Sequence, residues 1–298
     1  MLINTQFPIP TIALMLSSLA IACTSEAQPL EPLINTNWAQ NSIWDDGKAE
    51  LAYYEGLRTI YGAPRPHDHT MITVKEEFNR DFYTKADWPY GEKPLLTVLK
   101  QNQVSTIPTP NYPYHYMASV FFDRAKVDQG AVKLSLSSQE WCGLTAKEFA
   151  LHGKVPVQTY MSYWDGQGTG SAPLEIARSG VFFEEELPLL VRTLNFDDGA
   201  NATFNLLENQ TTSKVQLQPA TTTVELTITA PTTELEIPLG SIEPDDYWTI
   251  TIEGNNRSLA FQVSREYPNT LLHYSLGNGR EYALNELERR EYWVIREE

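Results

Sequence analysis

Along most of the chain, apolar side chains recur at every second position in short runs closed by Gly, Pro, Asn or Asp. A period of two marks strands with one face buried. Residues 49–54, 70–75, 94–104, 116–122, 132–136 and 144–151 read this way, and 155–164 alternates over its second half. Beyond Val191 the signal is nearly continuous, at 203–207, 214–218, 222–229, 235–239, 247–253, 258–263, 271–276 and 280–284. Gly254-Asn255-Asn256-Arg257 and Gly277-Asn278-Gly279 between these runs are hairpin signatures. Such short connections join antiparallel strands, because parallel neighbours need long crossovers. One segment, 176–190, fits a helix that Pro188 would end early, with Glu184-Glu185-Glu186 as a solvated face. No helical crossover pattern recurs, which disfavours a doubly wound nucleotide-binding sheet. The expected fold is therefore mainly β with little helix: a large curved antiparallel sheet, as an open barrel or a sandwich. A membrane-spanning barrel would need strands of about ten residues with aromatic girdles, and many runs here are shorter.

The N-terminus departs from this pattern. Residues 7–22 are mostly apolar and uncharged and end in Ala20-Ile21-Ala22-Cys23. Such a stretch is too short for a stable membrane span, and 1–22 reads as an export signal. Small Ala22 before Cys23 looks like a bacterial lipobox, in which the Cys becomes the first mature residue and carries the lipid. Ala20 stands where Leu is commonest, and no Lys or Arg precedes Lys48. The alternative is an ordinary cleaved signal. Thr24 after the Cys, rather than Asp, favours the outer membrane. Residues 23–42 are then a lipidated N-terminus and a polar, flexible tether containing Pro29 and Pro32. A β-rich envelope domain would occupy 43–298, with two subdomains meeting near 165–180 as one option.

Charge and cysteine content narrow the partners. The net charge is -16 and no basic cluster occurs. This argues against nucleic acid, whose phosphates need grouped Lys and Arg. It also argues against holding anionic lipid by charge, so attachment to a membrane would come from the N-terminal lipid anchor. With Cys23 lipidated, only Cys142 remains. An internal disulfide and a zinc site of paired Cys are then ruled out, and a lone thiol reads as a small buried hydrophobe. The glycine-rich stretch 165–171 lacks the Gly-Lys-Ser/Thr ending of a phosphate loop. No cofactor is expected.

The most reactive-looking string is Ser137-Ser138-Gln139-Glu140-Trp141-Cys142-Gly143, set between two expected strands. Read as a site, Cys142 is a nucleophile with His152 as a distant base, or Glu140 is a general acid or base beside Trp141. Read as structure, Trp141 and Cys142 anchor a packed corner, with Gln139 and Glu140 bonded to neighbouring backbone and Gly143 closing it. The structural reading is preferred, since residue identity without mutual geometry does not define a site. His67 and His69 alternate around Asp68 and could chelate a metal, but two His are not a full ligand set. Pro64 and Pro66 mark that stretch as a loop. Aromatic residues at 82–90 and 112–116 either line a groove for an apolar or sugar ligand or pack a sheet.

Trp44-Asp45-Asp46-Gly47-Lys48-Ala49-Glu50, the Ser-Ser-Gln-Glu-Trp-Cys-Gly motif and the stretch from Tyr267-Pro268 to Tyr292-Trp293 carry a resemblance. Over residues 40–296 the chain resembles a family of bacterial envelope lipoproteins without an established activity. Some members are labelled "septum formation inhibitor", a label that belongs to a cytosolic nucleotide-hydrolysing family. Neither its phosphate site nor its α/β pattern occurs here. The resemblance implies an envelope location and a β fold, and supplies no catalytic residues. The expected function is a non-enzymatic binding or assembly role at the envelope, toward an apolar ligand, a glycan or an envelope partner. The alternative is an envelope hydrolase using Glu140 or Cys142.

Overall fold

The alternating runs fold as a continuous meander. The computed structural model describes residues 28–294 apart from Arg178 and Asn255, so the expected export signal and the expected lipidation site Cys23 lie outside the described residues. After a short β1 (Gln28–Pro29), β2 (Ala49–Ile60), β3 (Ala63–Asn79), β5 (Leu95–Ile107) and β6 (Tyr114–Asp123) pair antiparallel in turn. A short β4 (Thr84–Lys85) rests on the end of β3. The meander continues through β7 (Ala131–Glu140), β8 (Gly143–Ala150), β9 (Val157–Ser162) and β10 (Thr169–Pro173). The second half adds β11 (Val181–Phe183), β12 (Asn201–Leu207), β13 (Thr221–Thr229), β16 (Tyr247–Gly254), β17 (Arg257–Ser264), β18 (Leu271–Gly277) and β19 (Arg280–Arg290). Between β13 and β16, β14 (Leu235–Ile237) and β15 (Gly240–Ile242) form a separate hairpin. β19 pairs with β2 and joins the halves into one 17-stranded sheet. The sheet is mainly antiparallel; among the described residues, β1 and β11 run parallel to β12. It does not close into a barrel. Within 165–180, β10 pairs with β9, and the chain beyond it enters the core.

Strand register places one face of the sheet around a filled interior. Leu284, Tyr54, His69, Ser105, Tyr116, Ser138, Thr145 and Ser162 stand opposite one another across successive strands and form one inward row. The interior is occupied by the chain between β10 and β12. From Val181 to Leu194 every residue is buried, through two 3-10 turns and the four-residue helix α1 (Leu187–Leu190). The helix expected over 176–190 is therefore only one turn, and its three Glu are core residues rather than a solvated face.

That reversal has a physical reason. Buried carboxylates persist where hydrogen bonds or opposite charges replace water. Glu184 meets Arg280 at 2.5 Å and also pairs with Arg257. Glu185 Oε1 accepts from Gln210 N at 2.6 Å and Thr211 N at 2.8 Å. Glu186 accepts from Ala131 N at 2.7 Å and Phe183 N at 3.1 Å. Pro188 sits in the first turn of α1, where its missing N–H costs little.

The expected tether is folded from residue 28 onward. Leu30, Ile34, Trp38, Ala39 and Trp44 are buried in the main core. Trp38 donates its indole N–H to Pro268 O at 3.2 Å, and Tyr267 OH donates to Trp38 O at 2.9 Å. These residues cover the end of the sheet where β2 begins and β19 finishes, here the near end. The tips 61–62, 141–142 and 278–279 mark the far end. At 12 residues, β2 separates the ends by about 35 Å.

Pro64 and Pro66 lie within β3 and not in a loop. There β3 pairs only with β2, because its pairing with β5 starts at Asp68. The missing proline N–H groups therefore fall on an open edge, where strands tolerate them. The run 214–218 fails as a strand for a different reason. It belongs to a loop, 208–220, that folds against the inner face of β7 to β9: Thr145 Oγ1 donates to Ser213 O at 2.6 Å and Lys147 Nζ to Gln210 O at 2.7 Å.

Candidate functional site

The β7–β8 hairpin carries the central motif to the far end. Glu140 pairs with Gly143, leaving Trp141 and Cys142 as a two-residue turn. The inward residues of the motif do the packing. Ser138 is buried and its hydroxyl contacts Ser213 Oγ at 3.1 Å. Gly143 lets the Tyr163 ring lie against the backbone, since a Cβ there would come 2.4 Å from Tyr163 Cγ. Trp141 is not the buried anchor expected of it: it is 78% exposed. Cys142 is likewise exposed rather than a buried hydrophobe. Gln139 faces solvent. The packing contacts at this turn are made by Ser138, Gly143 and Tyr163.

The exposed tip is nevertheless ordered by ring contacts. Trp141 stacks on Tyr112 with centroids 5.6 Å apart and planes at 18°. Tyr112 leans on Tyr114 at 5.6 Å, and Tyr114 stacks on Tyr116 at 6.1 Å. The Arg58 guanidinium lies 4.3 Å from the Tyr116 ring centre. Four rings and a cation thus run from the surface toward the interior, supplied by β2, β6, the β5–β6 connection and the β7–β8 turn. Tyr61, at the β2–β3 tip, shares a hydroxyl contact with Tyr114. The Cys142 thiol sits 3.0 Å from the Tyr112 hydroxyl and is the main cause that raises that hydroxyl to about 12. Burial pushes the Tyr114 hydroxyl well above its ordinary value, helped by Tyr61, Tyr112 and then Glu140.

This geometry does not assemble a nucleophile and a base. His152 lies beyond the opposite end of β8 from Cys142, about 30 Å away along an extended strand. It stacks instead on Tyr83, with centroids 3.3 Å apart. Burial lowers its pKa, and its Nδ1 contacts Val132 O at 3.4 Å.

His67 and His69 both point inward from β3, as their alternation requires. His67 Nδ1 contacts Arg65 O at 3.0 Å, and His69 Nδ1 contacts Ser105 Oγ at 2.8 Å. The His69 ring also packs 4.6 Å from that of Tyr282. Burial, above all, drives His69 down to about 3 and lowers His67 as well. Among the described residues, no group of three or more His, Cys, Asp or Glu side chains is arranged to share a metal.

A polar layer missed in the alternating pattern occupies the interior beneath the tips. Glu184 and Glu185 from the buried segment face His69, Arg58 and Arg280 around a space of about 30 Å³, water-sized. Among the described residues, Glu185 Oε2 and His69 Nε2 have no hydrogen-bond partner there. Burial, and then Glu184, raises the Glu185 pKa. Burial likewise lowers Lys147 to about 8. These residues are far apart in sequence, and only strand register brings them together.

The fold and tips define a class: an open antiparallel sheet plugged by its own chain, with accessible aromatic side chains at one end. No family model, curated protein or solved structure matches the chain.

Proposed function

We propose that the protein is a lipid-anchored component of the bacterial envelope with a non-enzymatic binding or assembly role, and that its far-end aromatic tip engages another envelope protein. Attachment through Cys23 at the outer membrane would enter at the near end and direct the tip about 35 Å away from that membrane, toward periplasmic partners. The observation that carries the proposal is the exposed Trp141 held in place by Tyr112. Tyr61 and Tyr163, 74% and 67% exposed, extend the same surface. Rigid exposed aromatic residues lose little conformational freedom on binding and dominate protein interfaces. The filled interior supports a surface role: the space among its inward polar side chains beneath the tips is water-sized, about 30 Å³.

The native thiol provides the experiment. A maleimide-bearing photo-crosslinker placed on Cys142 in intact cells is expected to give discrete protein adducts. Trp141→Ala should abolish them without lowering the melting temperature, because the ring is mostly solvent-exposed. Recovery of uncrosslinked chain alone, or the same adducts from the variant, would refute the proposal.

A further inference from the structure

A second surface feature lies away from the tip, beside the C-terminal tail. Tyr90, in the connection after β4, and Tyr292 and Trp293, just past β19, converge on an open cleft of about 530 Å³. That volume is within the range of small-molecule sites. Tyr90 is 38% and Trp293 51% exposed, so ring surface is available to a ligand. Tyr292 and Trp293 meet nearly edge to face, 5.2 Å apart at 74°, and make an aromatic corner.

The remaining wall is charged but balanced. It presents Lys75 and Lys85 against Glu76 and Glu77. Most of these charges are held by neighbours: Lys75 by Asp45 at 2.7 Å, and Glu76 by Lys100 at 2.6 Å. Lys85 reaches Glu76 only at 3.6 Å and remains largely exposed, so its ammonium can donate to a ligand. Glu77 instead turns its carboxylate to Thr97 Oγ1 across the ladder, at 3.0 and 3.1 Å. A strongly charged ligand of either sign would meet like charges here. A purely apolar one would strip water from four ionised groups without replacing it. A neutral, hydroxyl-rich ligand with C–H faces satisfies both halves of the cleft: its hydroxyls bond Lys85 and the Glu76 beside it while its ring faces rest on the aromatic corner.

We infer that this cleft binds a short segment of a neutral glycan. The inference is independent of the partner surface proposed for the tip, and Trp141→Ala serves as its control.

The test is binding of full-length protein to an array of neutral glycans, followed by calorimetric titration with maltotetraose, chitotetraose and any glycan retained on the array. Binding by at least one neutral glycan is expected. Trp293→Ala and Tyr90→Ala should each weaken it about tenfold or more, with unchanged circular dichroism. Trp141→Ala should leave it unchanged. No retained neutral glycan would overturn the inference. So would undiminished binding by both cleft variants, or preferential binding of acidic glycans.

Discussion

The buried segment is tied to the near end of the sheet by an ion pair whose removal has a calculable signature. Arg192 Nη1 and Nη2 reach the Glu50 carboxylate at 2.6 and 2.9 Å, a bidentate geometry. Arg192 Nε also donates to Asn269 O at 3.0 Å, and the guanidinium lies 5.3 Å from the Trp38 ring. The two side chains are 4% and 3% exposed, so solvent screens the pair little. Replacing Arg192 by Met leaves the Glu50 carboxylate buried without its cation, a change expected to cost about 3–5 kcal/mol. Glu50→Leu strands the guanidinium and should cost a similar amount. The double variant removes both charges together, and its cost should be within about 2 kcal/mol of wild type rather than the sum of the single costs. Urea unfolding followed by tryptophan fluorescence is the assay, with Trp38 and Trp44 beside the pair as reporters. An unchanged m value is required for the comparison. The reasoning is refuted if Arg192→Met costs under about 1 kcal/mol, or if the single costs add in the double variant.

Other expectations follow from the same structure. Gly143→Ala places a Cβ 2.4 Å from the Tyr163 ring and should cost about 1–3 kcal/mol in thermal or urea unfolding. Adding Tyr163→Ala should restore most of this, and a Gly143→Ala protein as stable as wild type would contradict the packing. His69 binds its proton near pH 6.5 when unfolded and at about 3 when folded. As pH falls below 6.5, the unfolded chain takes up the proton first, so this stabilisation is lost between those values. Between pH 7 and pH 4 the loss is about 3 kcal/mol. Wild type should lose that much more stability than His69→Gln over this range, and equal losses would exclude His69 as the source.

What was legible in the chain was whatever depends on local period. The strands and two of the turns, at Asn256 and Asn278, follow from alternation and residue type, and both Asn adopt positive φ. The mainly β fold with an open sheet follows as well. Two of the elements that differ share one cause, a tertiary contact that overrides a local signal. Glu184-Glu185-Glu186 looks solvated until Arg257, Arg280 and the backbone of 210–211 are brought to it. Residues 28–42 look like a tether until Pro268 and Tyr267 meet Trp38. Trp141 looks like a core residue because Trp usually is, but a two-residue turn has no interior to offer it. The pairing of Glu50 with Arg192 spans 142 positions and has no local signal at all.

The placement of the Glu residues bears directly on where a ligand can bind. A curved open sheet with an empty inner face would suit carriage of an apolar molecule. Here that face is held shut at several levels along the buried segment. Arg192 binds Glu50 and Glu186 binds the backbone of Ala131 toward the near end, and Glu184 binds Arg257 and Arg280 toward the far end. Withdrawing the segment would uncover its apolar residues and separate these buried charges from their partners together. Each broken buried pair costs about 3–5 kcal/mol, so a few such losses rival the whole stability of an ordinary domain. An apolar ligand would have to replace both the hydrophobic contacts and the ion pairs, and it offers only the first. The two proposed sites, the Trp141 tip and the Trp293 cleft, both lie on the outer surface, where exposed rings need no rearrangement to bind.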